Sequence, residues 1–168
     1  MFKKFLLAVA ICIAAVSANA QTLKFGNIDT NAIFEAMPER AQIQKDMEDL
    51  QAKYESELTK MSEEYQNKVS GFLAEQESLE KSIAEARAQE IDQLQQRIQQ
   101  FRDMAARDLQ TQQQTKVAPV IEKINKAIQA VGEKNGFTYI FNAGTALYSS
   151  ETQCIDCLPL VKAELGIK

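Results

Sequence analysis

Between Pro38 and Gly132 apolar residues recur every third or fourth position, and that spacing constrains this chain more than any other feature. In the first half Ile43, Met47, Leu50, Tyr54, Leu58, Met61, Tyr65, Val69 and Phe72 step by 4, 3, 4, 4, 3, 4, 4 and 3. They resolve into an eleven-residue repeat: Ile43/Tyr54/Tyr65, Met47/Leu58/Val69 and Leu50/Met61/Phe72. Three turns in eleven residues is about 3.67 residues per turn, which predicts a straight or slightly right-handed coil. In the second half Ile91, Leu94, Ile98, Phe101 and Ala105 step by 3, 4, 3 and 4, a heptad seam, before the register shifts to Leu109. Two helices packed antiparallel satisfy both stripes. Ser82 and Glu85 have capping-box spacing, and equal arms between Pro38 and Val117 turn at about the same place, so the tip is read at residues 76–82. Each arm of about 40 residues reaches about 60 Å. A two-helix hairpin of that length cannot bury its whole apolar surface alone and is expected to protrude, oligomerise or hold something.

Residues 110–116 contribute nothing apolar between Leu109 and Val117, so a looser, more hydrated section is expected there. Pro119 removes an N–H and crowds the preceding turn, which predicts a kink. Val120, Ile121, Ile124, Ile128 and Val131 then form a dense stripe ending at Gly132, the core of a compact body. Residues 23–28 read as a short strand, with Asp29 and Thr30 as caps of a brief helix. Residues 137–141 are aromatic and β-branched, Asn142-Ala143-Gly144-Thr145 is a turn, and residues 146–149 read as a return strand. Pro159 opens a last helix over residues 160–165, with Gly166 just beyond it. The expected fold class is α+β, a long antiparallel helical hairpin (residues 38–117) on a small β-rich body. Residues 21–37 and 118–168 make up that body. A sheet this small is marginal alone, so self-association is expected.

Composition narrows the chemistry. The chain of 168 residues carries 19 basic and 23 acidic groups, a formal −4, against the basic footprint of a nucleic-acid binder. It has no histidine, which removes His-based acid–base chemistry, Ser–His and Cys–His pairs and His-ligated metals. Six glycines, three prolines and no tryptophan leave little room for a many-stranded all-β fold. No catalytic, cofactor or metal site is assigned, and the chain is read as a non-enzyme.

Residues 1–20 read as an export leader. Met1-Phe2-Lys3-Lys4 is basic, an uncharged apolar run follows, and Ala18-Asn19-Ala20 is a small-x-small cleavage site, with cleavage after Ala20. The run is shorter than the roughly 20 residues that cross a bilayer, so no stable membrane insertion is expected. The mature chain then starts at Gln21, keeps 17 basic against 23 acidic groups, and works in an oxidising compartment. Cys12 leaves with the leader. Cys154 and Cys157 remain, a pair open to three readings: a disulfide or incidental pair, a redox couple, or half of a shared metal site.

A strand with Phe25-Gly26-Asn27-Ile28-Asp29, a long charged hairpin, the stripe over residues 117–131, and the run Asn142-Ala143…Ala146-Leu147-Tyr148-Ser149-Ser150 before a short helix stand in a specific order. With the leader ahead of it, this order resembles the Skp/OmpH family of periplasmic chaperones over the whole mature chain. The resemblance implies a homotrimer whose helical tentacles enclose a cavity. It implies an ATP-independent holdase that binds unfolded outer-membrane proteins in the periplasm. One departure stands out: the family's best-known member is strongly basic with positive tips. Here residues 71–92 carry Glu75, Glu77, Glu80, Glu85, Glu90 and Asp92 against Lys81 and Arg87. Two other classes are open, a coiled-coil spacer or adaptor of the envelope and a thiol-redox protein using the two cysteines. Phe25, Ile28, Tyr139, Phe141 and Leu147 are expected in the body core or at subunit contacts. Client contacts are assigned only to the inward face of the arms, residues 38–117.

Overall fold

The structure, a computed structural model, describes residues 23–145, 147–150 and 152–167. The leader at residues 1–20, its cleavage after Ala20, Cys12 and Ala146 of the expected return strand lie outside the described residues. The order is β1 (Phe25–Ile28), α1 (Thr30–Ala36), α2 (Pro38–Glu75), a 3-10 turn (Gln76–Ser78), α3 (Lys81–Asn135), β2 (Tyr139–Asn142), β3 (Cys154–Asp156) and α4 (Leu158–Leu165). The protein is thus mostly helical, with one small sheet. Among the described residues one compact unit runs up to Ile33 and resumes at Asn125, and the other is Phe34–Ile124.

In the first unit β1 is the central strand, in the order β2-β1-β3, and both pairings are parallel. Phe25 lies opposite Tyr139 on one side and Cys154 on the other. Side chains alternate across the sheet, so Gly26 and Ile28 face one way and Phe25 and Asn27 the other. The first face is covered: Ile28, Ile33, Ala127, Val131, Cys157 and Val161 are all buried. Gly26 is required for that packing. A Cβ placed on it would lie 2.5 Å from Cys157 Sγ and 3.1 Å from the Phe137 ring.

Local chemistry fixes the helix ends in this unit. Asp29 Oδ1 accepts the N–H groups of Asn31 and Ala32, capping α1. The Asn142 side chain, arriving from β2, accepts from the N–H and hydroxyl of Thr30. At the far end of α3, Gly136 takes φ 66° and Phe137 N–H returns to the Gly132 carbonyl. Lys24 Nζ donates to the Asn135 carbonyl at 2.8 Å and sits 4.4 Å above the Phe137 ring, a cation at the negative helix terminus. In α4, Asp156 accepts from Leu158 N–H and Gly166 ends the helix at φ 69°.

In the second unit α2 and α3 run antiparallel. Six cross-helix polar pairs have midpoints between residues 79 and 81: Glu39–Lys123, Asp46–Lys116, Tyr54–Asp108, Tyr65–Gln95, Lys68–Glu90 and Glu75–Arg87. The register is therefore kept to within a turn along the hairpin. The heptad half of the seam is well covered, with Leu94, Ile98 and Ala105 buried. The eleven-residue half is not: α2 is 38 residues long and none of its side chains is fully buried.

Several expectations need correction. Residues 147–150 form a bend and irregular backbone rather than a return strand. The third strand is instead β3, which pairs parallel on the other side of β1, so the sheet is parallel and holds no β-hairpin. The turn at Asn142 is tight, with Gly144 at φ 87° and Thr145 N–H on the Asn142 carbonyl, but β2 stays an edge strand. The body is consequently helix-rich rather than β-rich. Ser82 does not cap α3: the helix already starts at Lys81, and the Ile83 and Ala84 N–H groups donate to the Glu80 carbonyl. Pro119 does not end helix α3, which continues to Asn135.

The packing at Gly26 predicts that Gly26→Ala lowers stability by about 1–3 kcal/mol in urea titration, the cost of overpacking. Gly71→Ala, whose new methyl meets nothing within 4 Å, should raise stability slightly through helix propensity.

Candidate functional site

The uncovered face of the sheet carries the first unit's most conspicuous surface. Phe25, Tyr139 and Phe141 project from it on two neighbouring strands. Their rings stack at centroid distances of 6.3 Å (Phe25–Tyr139), 6.4 Å (Phe25–Phe141) and 5.8 Å (Tyr139–Phe141). Phe25 is half-buried, Tyr139 is 59% exposed and Phe141 46% exposed. Beside them is an open cavity of about 490 Å³ lined by Phe25, Phe141, Tyr148, Ser149 and Cys154 among others. Leu147 and Tyr148 stand almost wholly in solvent.

Of the five residues expected in the body core or at subunit contacts, Ile28 is the one buried within the chain, at 2% exposure. Tyr139, Phe141 and Leu147 are not core residues of one chain. The first two alternate outward on an edge strand with no layer above it, and the third sits in a bend. Cys154 and Cys157 are both free thiols, the first half-exposed and the second buried. Burial, followed by the neighbouring Asp156 carboxylate, pushes the Cys157 thiol pKa up. Among the described residues no three His, Cys, Asp or Glu side chains are placed to share a metal ion, and no helix is long and apolar enough to cross a membrane.

The second unit offers a different surface, the half-covered seam of α2. Ile43, Met47, Leu50, Tyr54, Leu58, Met61, Tyr65, Val69 and Phe72 are all only partly buried. Where α3 lacks apolar residues after Leu109 the seam opens into a cavity of about 680 Å³ lined by Phe34, Ile43, Met47, Leu109, Gln113 and Val117, with others. Tyr54 spans the adjacent section. Its ring meets Phe101 edge-on at 5.8 Å and its hydroxyl donates to Asp108 at 2.6 Å. That bond to a carboxylate raises the Tyr54 pKa.

Charge lines this seam. A hydrogen bond from Lys123 holds the Glu39 carboxyl below its usual range. Lys116, and then Gln42, do the same for Asp46, and Lys68 for Glu90. The acidic tip is partly neutralised by Arg87 on Glu75 and Lys81 on Glu85. Sequence reasoning missed these pairs, although their symmetric placement about the tip was available once the hairpin was drawn.

These features define a class: a long antiparallel helical hairpin and, in the same chain, a small parallel sheet with one bare aromatic face. The family described as Outer membrane protein (OmpH-like) matches residues 24–165, and the chain belongs to that family. Its fold is similar to the crystal structure of a Caulobacter crescentus CB15 protein described as a candidate outer membrane chaperone (OmpH-like). The TM-score is 0.74 at 12% identity, covering 88% of this chain and 86% of that one. No curated protein matches the chain.

Lowered carboxylate pKa values give a sign. Such groups stabilise the fold above their ordinary values, and the contribution is lost as pH falls through the folded value. Thermal unfolding of the mature chain should therefore show the lysine-paired contribution at neutral pH and its loss below about pH 4. Replacing Lys68, Lys116 and Lys123 together by Met should flatten that acid limb. An unchanged limb would mean that the pairs do not couple to folding.

Proposed function

We propose that this protein is an ATP-independent holdase of the periplasm, binding unfolded outer-membrane β-barrel proteins and keeping them from aggregating on their way to the membrane. The observation that carries this reading is the state of α2: nine apolar or aromatic seam residues over 38 residues of helix, none fully buried. Such a surface gives many weak, replaceable contacts, with Met47 and Met61 supplying adaptable side chains. Binding of that kind suppresses aggregation by mass action, lowering the free concentration of sticky chains. The name of the similar Caulobacter protein supports the same reading.

The bare aromatic face supports self-association as a homotrimer. A three-stranded sheet with one covered face and Phe25, Tyr139 and Phe141 exposed on the other gains most by meeting copies of itself. Leu147 and Tyr148 belong to the same proposed contact. Clients are assigned to the half-covered seam of α2.

Two measurements check this. A urea-unfolded β-barrel protein diluted into residues 21–168 without nucleotide should scatter less light as chaperone is added, saturating near three chains per client. Because the tips are acidic and partly paired, suppression should change little between low and moderate salt. No suppression at any excess would favour the spacer or adaptor reading. Separately, Phe141→Asp should sediment as a monomer while keeping the helical circular dichroism of the hairpin. A normal trimer carrying that change would remove the aromatic face from the interface.

A further inference from the structure

The two thiols sit three residues apart, Cys154 at the start of a strand and Cys157 just past its end, and that spacing sets what they can do. Cys154 is the first residue of β3 and lies opposite Phe25. Asp156 lies opposite Asn27, and Cys157 N–H continues the ladder by donating to the Asn27 carbonyl at 2.8 Å. Three steps of extended chain separate the two α-carbons by about 10 Å. A disulfide accepts at most about 7 Å. An odd step also turns the side chains to opposite faces: Cys154 toward the aromatic face and its cavity, Cys157 inward, fully buried against Gly26. Cys157 is in addition the first cap residue of α4, and its carbonyl receives Val161 N–H.

We propose that Cys154 and Cys157 form a redox latch, in which the dithiol keeps β3 and α4 on the sheet and the intrachain disulfide releases them. The bond cannot form while β3 is paired with β1. It requires the edge strand to peel away, Cys157 to leave its place beside Gly26, and the start of α4 to loosen. The reaction balances with a small-molecule or protein disulfide as oxidant. Each of the two cysteines gives up a proton. One thiolate attacks the oxidant, expelling one thiol, and the other then displaces the second thiol as the Cys154–Cys157 bond forms. Two thiols are oxidised and one external disulfide is reduced. Reduction reverses the step and lets β3 dock again. This differs from a redox couple exposed at a helix start, since here the buried sulfur is part of the core. Release would also strip the rim of the cavity beside the aromatic face. That consequence rests on the self-association proposed above, whereas the test below does not.

The test forms the bond where the fold cannot oppose it. Residues 21–168 are unfolded in urea, oxidised with glutathione disulfide, confirmed by mass as the intrachain disulfide, and refolded by dilution. Amide exchange is then compared with the reduced chain. The expected result is exchange at least about tenfold faster from Ile155 through Val161, with α2 and the heptad part of α3 unchanged and protection restored by dithiothreitol. Cys154→Ser, put through the same steps and then reduced, should keep full protection because its buried thiol is intact. Protection equal to that of the reduced chain in the disulfide form would overturn the latch. So would an equal loss in Cys154→Ser, since the cross-link would then not be the cause.

Discussion

A parallel sheet of three short strands must be covered on both faces, and this chain covers one. On the covered side the fit is close enough that a single methyl on Gly26 meets the sulfur of Cys157. On the other side the alternation of β1 and β2 lines up Phe25, Tyr139 and Phe141 with no layer above them. Parallel sheets bare on one face are rare in proteins that stay single. Much of the rest of the molecule follows from that imbalance. The cap from Asn142 to Thr30 and the anchoring of Lys24 at the end of α3 hold a sheet too small to hold itself.

The hairpin meets a different problem, that of remaining helical with little burial. It does so by polar means. Along both helices glutamines and acids pair at four-residue spacing, as in Gln42–Asp46, Gln51–Glu55 and Gln99–Asp103. Each such pair adds a few tenths of a kcal/mol, about 0.2–0.5, to a helix that packing only partly supports. Exposed ion pairs across the hairpin contribute little energy individually. Their placement matters more, because each fits one register and penalises a slip of the two stripes. Order along the hairpin is thereby kept without sealing the apolar seam.

The helices were legible because period is a strong signal, and Leu94, Ile98 and Ala105 are buried where the heptad places them. Asp29 was legible as a cap for the same kind of local reason. The third strand was not. Cys-Ile-Asp is too short to show alternation, and its pairing with β1 is a tertiary fact that the neighbouring Leu147 and Tyr148, richer in strand-forming character, concealed. Tyr139 and Phe141 are exposed, because an aromatic edge strand reads alike in sequence whether or not a layer of the same chain covers it. Pro119 shows the limit from the other direction: a residue that usually breaks a helix is carried through one of 55 residues.

The parallel pairing of β1 with β2 also orders events in time. Phe25 meets Tyr139, 114 residues later, and everything between them is the crossover. Contacts so distant in sequence close late, while helices form in microseconds from near neighbours. A chain emerging from its amino end presents β1 first and must hold it unpaired until β2 arrives more than a hundred residues later. The long hairpin then acts as the clasp: because the chain folds back on itself between β1 and β2, pairing the two strands costs a short loop's entropy instead of a long one's.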